Sequence, residues 1–456
     1  MKRTLFIMLA LVLACACMAV AHADVVSTTP IVGEQFWGYR VTAVAVEYDT
    51  ELAAQEFAAD AFAATDILDT DNAETQYLYG QPRVISRIYT NSEPATLAEG
   101  AAEGKYVIVE FSADDIYNSY KELVGLLPIR GYYTNAKGAV SKCRVTKPNE
   151  GTIQQLVDIT AKDGTVLAAT EELKMTNDYL VTGLAKEFEL VDIPRENSDI
   201  PYKAWVHLPS DYDGTKEYPV VFIITGNAQL HYVMPEQGID NTDVVLYNDH
   251  QMLTWAETAD FGFEEVIAVS LRKVNIVTGL DVDVYEDTAA AAKWIIENYA
   301  VDHNRLYWVG QSAGSVACWN IISAHPELCT GYFGTNGGVS AAYDLSPEGL
   351  TQEAIDETWK VLKVFVENRI PICFTCGEED ANSANHYAAE FYYPMLHDAY
   401  AAEGLSEREI YDMVKIYVMP HSTYAIAPDL TDHNVVRMMN WLVPARIFEM
   451  STVLGW

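Results

Sequence analysis

Basic residues are scarce in this chain. Its 456 residues carry 29 Lys and Arg against 65 Asp and Glu, a formal charge of −36. A field of that sign repels phosphate before any groove contact forms, so nucleic acid is excluded as a partner class and the acidity reads as solubility. Cysteine is sparse as well. Cys15 and Cys17 fall in the first 23 residues, and Cys143, Cys318, Cys329, Cys373 and Cys376 are scattered over the rest. That odd remainder rules out a disulfide framework as the basis of the fold. Cys373 and Cys376 form a CxxC inside "IPICFTCGEED", which reads as a buried strand. No second pair or His cluster at ligand spacing accompanies it, so neither a metal nor redox chemistry is expected. Long apolar runs are missing beyond the N-terminus, which excludes a helical span in the mature chain.

What the sequence does have begins with a leader. Lys2 and Arg3 precede the apolar "LFIMLALVLACACMAVA", and "AHA" before Asp24 supplies the small residues that signal peptidase needs. Residues 1–23 are therefore expected to be a signal peptide, and the product secreted or periplasmic. A membrane anchor and a lipid-modified Cys15 or Cys17 are the alternatives. Half of the residues are hydrophobic (50%) and no tract is of low complexity, so the chain folds; its length calls for two domains.

Two textures divide it. From residue 24 to about 185 the pattern is strand-like: "VTAVAVEYD", "RVISRIYTN" and "KYVIVEFSA" alternate, and "TIQQLVDITAKDGTVLAATEEL" holds two strands around Asp163-Gly164. Short strands at this spacing predict an antiparallel β-sandwich, with the alanine-rich "ELAAQEFAADAFAAT" readable as a strand pair or a short helix. From 186 to 456, "KEFELVDI" and "YKAWVHLPSDY" read as a strand pair. Then "YPVVFIIT", "EEVIAVSL", "NRLYWVG", "RIPICFTCG" and "MVKIYVMP" alternate with helical patterns, ending in a helix over "DHNVVRMMNWL". Strand and helix in alternation mean parallel strands joined by crossovers, hence an α/β domain.

Chemistry concentrates at "YWVGQSAGSVACW". The strand "RLYWV" runs into Gly310-Gln311-Ser312-Ala313-Gly314, and a helix follows. GxSxG between a strand and a helix makes a sharp turn whose glycines avoid a Cβ clash and whose serine projects beyond the sheet edge, facing the helix N-terminus. Ser312 is the expected nucleophile. A serine needs a base and an orienting carboxylate, which follow in the order acid then histidine on loops after later strands. Asp380, after "RIPICFTCG", is the expected acid, with Glu379 as alternative; His421, directly after "KIYVM", is the expected base, with His433 as alternative. The oxyanion donors should be the backbone N–H of Ala313 and that of Asn227 or Ala228, in the loop after "YPVVFIIT". Gln311 beside the serine, and Tyr232, Tyr247 and Trp255 in the segment after that loop, are the candidate substrate contacts.

These segments carry a resemblance. "YPVVFIITG", "YAVDHNRLYWVGQSAGS" and "CGEED" resemble secreted α/β-hydrolase esterases of the polyhydroxybutyrate depolymerase and feruloyl esterase type. "VTAVAVEYD", "RVISRIYTN" and "KYVIVEFSA" are similar to the immunoglobulin-like domain that precedes the hydrolase domain in some of them. The resemblance implies an α/β-hydrolase fold, hydrolysis of a small or polymer-borne carboxylic ester such as one on plant polysaccharide or a polyester, and no cofactor. The chain departs from the family pattern at Thr225-Gly226, where His-Gly is usual, and at Pro420 before His421, where glycine is usual. A serine peptidase on the same scaffold, and an inert surface or glycan-binding protein, are the other readings.

Overall fold

The computed structural model describes residues 24–35, 38–66, 81–112, 129–134, 140–145, 151–176, 179–196, 198–224, 233–234, 239–240, 254–271, 284–339, 350–378, 387–419, 422–423, 436–437 and 443–456. The chain divides into two compact units, which draw on Met1–Gly33, Arg40–Leu126 and Pro148–Val181, and on Glu34–Tyr39, Leu127–Lys147 and Thr182–Trp456. The leader lies outside the described residues. Among the described residues no helix is long and apolar enough to cross a membrane.

The first unit is built of antiparallel strands, as the alternation predicts. Val25–Gln35, Gly38–Leu52, Gly104–Phe111, Ile85–Asn91 and Glu56–Phe57 lie side by side in one sheet, with Leu180–Val181 added parallel at its edge. Leu173–Lys174, Thr152–Gln155, Phe62–Asp66 and Gln81–Pro82 form a second sheet. The phenol of Tyr48 in the first donates to Oε1 of Gln155 in the second at 2.6 Å. Burial pushes that phenol up, so it stays neutral and keeps its proton for the bond. The alanine-rich segment resolves into a 3-10 turn Ala59–Ala61 between two strands that do not pair with each other, Glu56–Phe57 in the first sheet and Phe62–Asp66 in the second. Asp163-Gly164 turns the hairpin Ile159–Thr160/Val166–Leu167, with Gly164 at φ 88°, where a side chain would be strained.

Among the described residues, the largest sheet of the second unit has eight strands. In chain order these are β1 (Glu189–Arg195), β2 (Ser198–His207), β3 (Tyr218–Ile224), β4 (Ile267–Ser270), β5 (Val301–Gln311), β6 (Gly331–Thr335), β7 (Ile372–Gly377) and β8 (Val414–Met419). They lie in the order β1-β2-β4-β3-β5-β6-β7-β8. β2 is antiparallel to both neighbours, and the remaining pairs are parallel. Every residue of β3, β4, β6 and β7 is buried. Such runs must be covered on both faces, and helices provide the cover: α1 (Val284–Asn298), α2 (Ala313–Ala324), α3 (Gln352–Glu367), α4 (Ala388–Ala402), α5 (Glu407–Met413) and α6 (Val443–Val453). Trp319 of α2 anchors the core, edge-on to Tyr332 at 4.8 Å and to Phe365 at 5.0 Å between ring centroids.

One expected element shifts. The described part of "DHNVVRMMNWL" includes the short strand Val436–Arg437, paired with Ser422–Thr423, and the final helix is α6. Pro444 lies in its first turn, where a missing N–H removes no helical bond. The CxxC lies in β7 as expected, and residues three apart on a strand face opposite sides of the sheet, so Cys373 and Cys376 cannot be bridged. Both are buried, and burial pushes the Cys373 thiol up, away from the thiolate a metal would need.

Entry into β5 is set by Asp302. Its Oδ1 accepts from the backbone N–H of Asn304 at 2.9 Å, and its Oδ2 accepts from Nε of Arg305 at 2.6 Å. The Asn304 N–H, and then the Arg305 guanidinium, hold its carboxyl below the usual carboxylate range. A depressed carboxylate contributes stability above its unfolded pKa and loses it as pH falls through the folded value. Asp302→Ala should therefore cost about 1 kcal/mol at pH 7, the scale of a partly exposed hydrogen-bonded ion pair. Denaturant titrations of wild type and variant should converge near pH 2; a gap that persists there would point to lost packing instead.

Candidate active site

The sheet order creates a crevice before any side chain is considered. From β3 the chain crosses outward to β4, then returns past β3 to β5, so the strand order reverses next to β3. In open α/β sheets ligands bind at the carboxyl ends of the strands at such a point. Ile224 pairs with Gly310, Gln311 with Thr335, Thr335 with Thr375, and Gly377 with Met419. Five neighbouring strands thus end along one edge, and Ser312 is the first residue past β5.

Ser312 stands between β5 and α2 with φ 55° and ψ −126°, a backbone conformation that a residue with a Cβ rarely adopts. The fold over-determines it. The Ser312 N–H donates to the carbonyl of Thr335 at 2.8 Å, and the Ser312 carbonyl accepts from the N–H of Val316 at 3.0 Å. A Cβ on Gly310 would lie 2.6 Å from Cα of Ser315 and 2.8 Å from Sγ of Cys318, so the first motif glycine lets β5 press against α2. Ser312 occupies the N-cap position of α2, yet its side chain makes no cap hydrogen bond, and the residue is partly exposed. Among the described residues, none takes up the hydroxyl. Ala313, also partly exposed, is the first helical residue, and its N–H belongs to the first turn, which has no acceptor within the helix. The partial positive charge of the helix end is centred there.

A second loop supports the elbow. After β6 the chain passes Asn336, at φ 49°, and Gly337, on which a Cβ would lie 2.1 Å from the Ser312 carbonyl oxygen. The Gly337 carbonyl accepts from Oγ of Ser315 at 2.5 Å and from the indole N–H of Trp319 at 3.0 Å, while the Val339 N–H donates to the Tyr392 phenol at 2.8 Å. Sequence reasoning passed over this loop. Its signal was the Asn-Gly-Gly after an apolar run, a turn composition that marks left-handed backbone.

Among the expected site residues, Ser312, Ala313, Gln311 and Trp255 are described. Asp380, Glu379, His421, His433, Asn227, Ala228, Tyr232 and Tyr247 lie outside the described residues. Gln311 is buried at the end of β5. Trp255 is 1% exposed, and its indole N–H donates to Oε1 of Glu449 on α6 at 3.0 Å. A buried carboxylate needs a donor, so this indole is engaged inside the fold rather than offered to a ligand. Among the described residues no group of three or more His, Cys, Asp and Glu side chains is placed to hold a metal.

Comparison with known proteins adds the family context. Residues 27–168 match the model of the esterase Ig-like N-terminal domain. The fold is similar to that of a thermostable esterase known from its crystal structure, with 94% of this chain and 99% of that one covered, a TM-score of 0.63 and 18% identity. Weaker likenesses, each covering 59% of this chain, are to the feruloyl esterase module from Clostridium thermocellum (88% of that chain, TM-score 0.40, 13% identity) and an esterase domain from Rhodothermus marinus (96%, TM-score 0.35, 12% identity). No curated protein matches the chain. The architecture is an antiparallel β domain followed by a mostly parallel sheet flanked by helices.

Proposed function

We propose that this chain, an esterase Ig-like N-terminal domain followed by an α/β-hydrolase-like esterase fold, is an exported serine hydrolase that cleaves carboxylic esters. The observation that carries the reading is the backbone of Ser312: strained, held from two sides, with an uncommitted hydroxyl at the N-terminus of α2. Strain of this kind persists where it serves a reaction.

In the mechanism Ser312 attacks the ester carbonyl while His421 takes its proton. Asp380 orients the imidazole and stabilises its charged form. The oxyanion is received by the N–H groups of Ala313 and of Asn227 or Ala228. His421 returns the proton to the leaving alcohol, then activates the water that releases the acid from the acyl-enzyme. Supporting the assignment is the register of the strands. Asp380 follows the end of β7 by three residues and His421 follows the end of β8 by two, and Gly377 and Met419 are paired neighbours. The two loops therefore leave the sheet side by side, on the same edge as Ser312.

A fluorophosphonate probe tests this directly. Folded wild type should be labelled on Ser312, as read by mass spectrometry; His421→Ala and Asp380→Ala should slow labelling by roughly a hundredfold or more, and His433→Ala should leave it unchanged. No labelling of the wild type would overturn the reading, and loss of labelling in His433→Ala alone would move the base to that residue. A panel of short-chain, feruloyl and polyester substrates then identifies the ester.

A further inference from the structure

The loop after β6 joins the nucleophile to the strand from which the acid loop departs, and one side chain makes the join. Asn336 is buried, at 4% exposure. Its N–H donates to the Thr375 carbonyl at 2.9 Å, extending the β6–β7 ladder by one step. There β6 stops, because Asn336 turns into the left-handed region at φ 49°, which asparagine tolerates better than most residues. Along a strand in a parallel sheet, every second N–H points to the same neighbour. Past Thr375, the next N–H aimed at β6 is that of Gly377, and no β6 backbone remains to meet it. The Oδ1 of Asn336 accepts it instead, at 3.1 Å and buried. On the other side of this bridge, Thr335 accepts from the Ser312 N–H, and Gly337 leaves room for the Ser312 carbonyl. Oγ1 of Thr335 and Oγ1 of Thr375 are hydrogen-bonded to each other at 3.0 Å just below.

We infer that Asn336 is a positioning residue for the hydrolysis proposed above: its side-chain carbonyl stands in for the missing strand and fixes the departure point of the acid loop relative to the Ser312 elbow. The inference rests on that reading of Ser312 and Asp380. Without the Oδ1 acceptor, the Gly377 N–H is orphaned in a buried place and the segment after it loses its anchor, so the acid drifts from the base while the serine and its oxyanion donors stay in place. Substrate binding would be spared and the chemical step slowed.

The test uses the full chain and p-nitrophenyl acetate. Asn336→Gly removes the acceptor and accepts the positive φ without strain; Asn336→Asp keeps an acceptor of the same length. Asn336→Gly should lower kcat by roughly 10- to 100-fold, the range of a misplaced catalytic group, with KM within about twofold. A nearby carboxylate raises the pKa of the base, so loosening the acid should move the acidic limb of the kcat/KM profile to lower pH. Asn336→Asp should restore kcat to within about threefold of wild type. Asn336→Ser, which shortens the side chain without emptying the site, carries the same prediction as the glycine variant if the latter fails to fold. Wild-type kcat in Asn336→Gly or Asn336→Ser, or equal impairment in Asn336→Asp, overturns the inference. Fluorophosphonate labelling of wild type separates the two levels: if the wild type is labelled while the variants behave as just described, positioning fails and the serine hydrolase stands; if the wild type is not labelled, the hydrolase reading itself falls.

Discussion

Ser312→Ala should reduce ester hydrolysis by about 10⁴- to 10⁶-fold, to what an oxyanion hole and binding alone can supply. The variant should fold as the wild type does, because the Ser312 side chain makes no cap bond that the fold would miss. Its stability gives a second test of the same residue. Alanine has the same Cβ as serine and inherits the same strain at φ 55°, so its melting temperature should stay close to that of wild type. Glycine adopts this conformation freely, so Ser312→Gly should be equally inactive and more stable by about 1 kcal/mol, the typical cost of a strained non-glycine residue. In a domain of this size that is a rise of about 2–4 °C. An active Ser312→Ala would remove the nucleophile from this site. A glycine variant that melts below the alanine variant would show that the backbone there is not strained.

The largest loss of structure is expected from Gly337→Ala. Its Cβ would sit 2.1 Å from the Ser312 carbonyl oxygen and 2.8 Å from Cβ of Ser315, and neither neighbour can retreat. The Ser312 carbonyl is committed to the Val316 N–H, and Ser315 is committed to Gly337 itself. The loop cannot lift away either, since the Gly337 carbonyl is held by Ser315 and Trp319, and Val339 by Tyr392. Overpacking against a rigid backbone costs about 3 kcal/mol or more, and displacing the elbow should lower fluorophosphonate labelling by about 100-fold. Gly214→Ala is the comparison, a glycine replaced where conformation and not crowding sets the cost. Gly214 has a positive φ of 78° but nothing within 4 Å of its added Cβ, so it should cost only about 1 kcal/mol and leave labelling intact. Urea unfolding of both variants decides the matter: a loss at Gly337 no larger than that at Gly214 would mean that the crowding under the elbow is relieved.

Much of this architecture could be read before the structure. The apolar runs of β3, β4 and β7 declared a sheet covered on both faces, since no half-exposed strand tolerates unbroken burial, whereas the glycine-bearing β6, "GYFGT", did not read as a strand. GxSxG was legible because only a residue flanked by small neighbours can stand on so sharp a turn. The shifted final helix shows the limit of such patterns. The apolar spacing of "VVRMMNWL" suits a helix, yet Val436–Arg437 is a strand, because pairing with Ser422–Thr423 outweighs a local preference worth tenths of a kcal/mol per residue. Trp255 shows the same limit for the site. A tryptophan in the long segment between β3 and β4 invites a ligand-binding role, and only the fold reveals the buried Glu449 that takes its N–H.

The sequence by itself determined the fold class and singled out Ser312 as the proposed nucleophile, because each depends on local periodicity or on residues adjacent in the chain. Tertiary structure decided what holds that nucleophile. Ser312 is fixed by Thr335 and crowded by Gly337, and Gly377 is caught by Asn336, contacts between residues up to 41 positions apart that no spacing rule connects. They arise because β5, β6 and β7 end on one line, so that where one strand stops, the next must find its hydrogen-bond partners in a side chain.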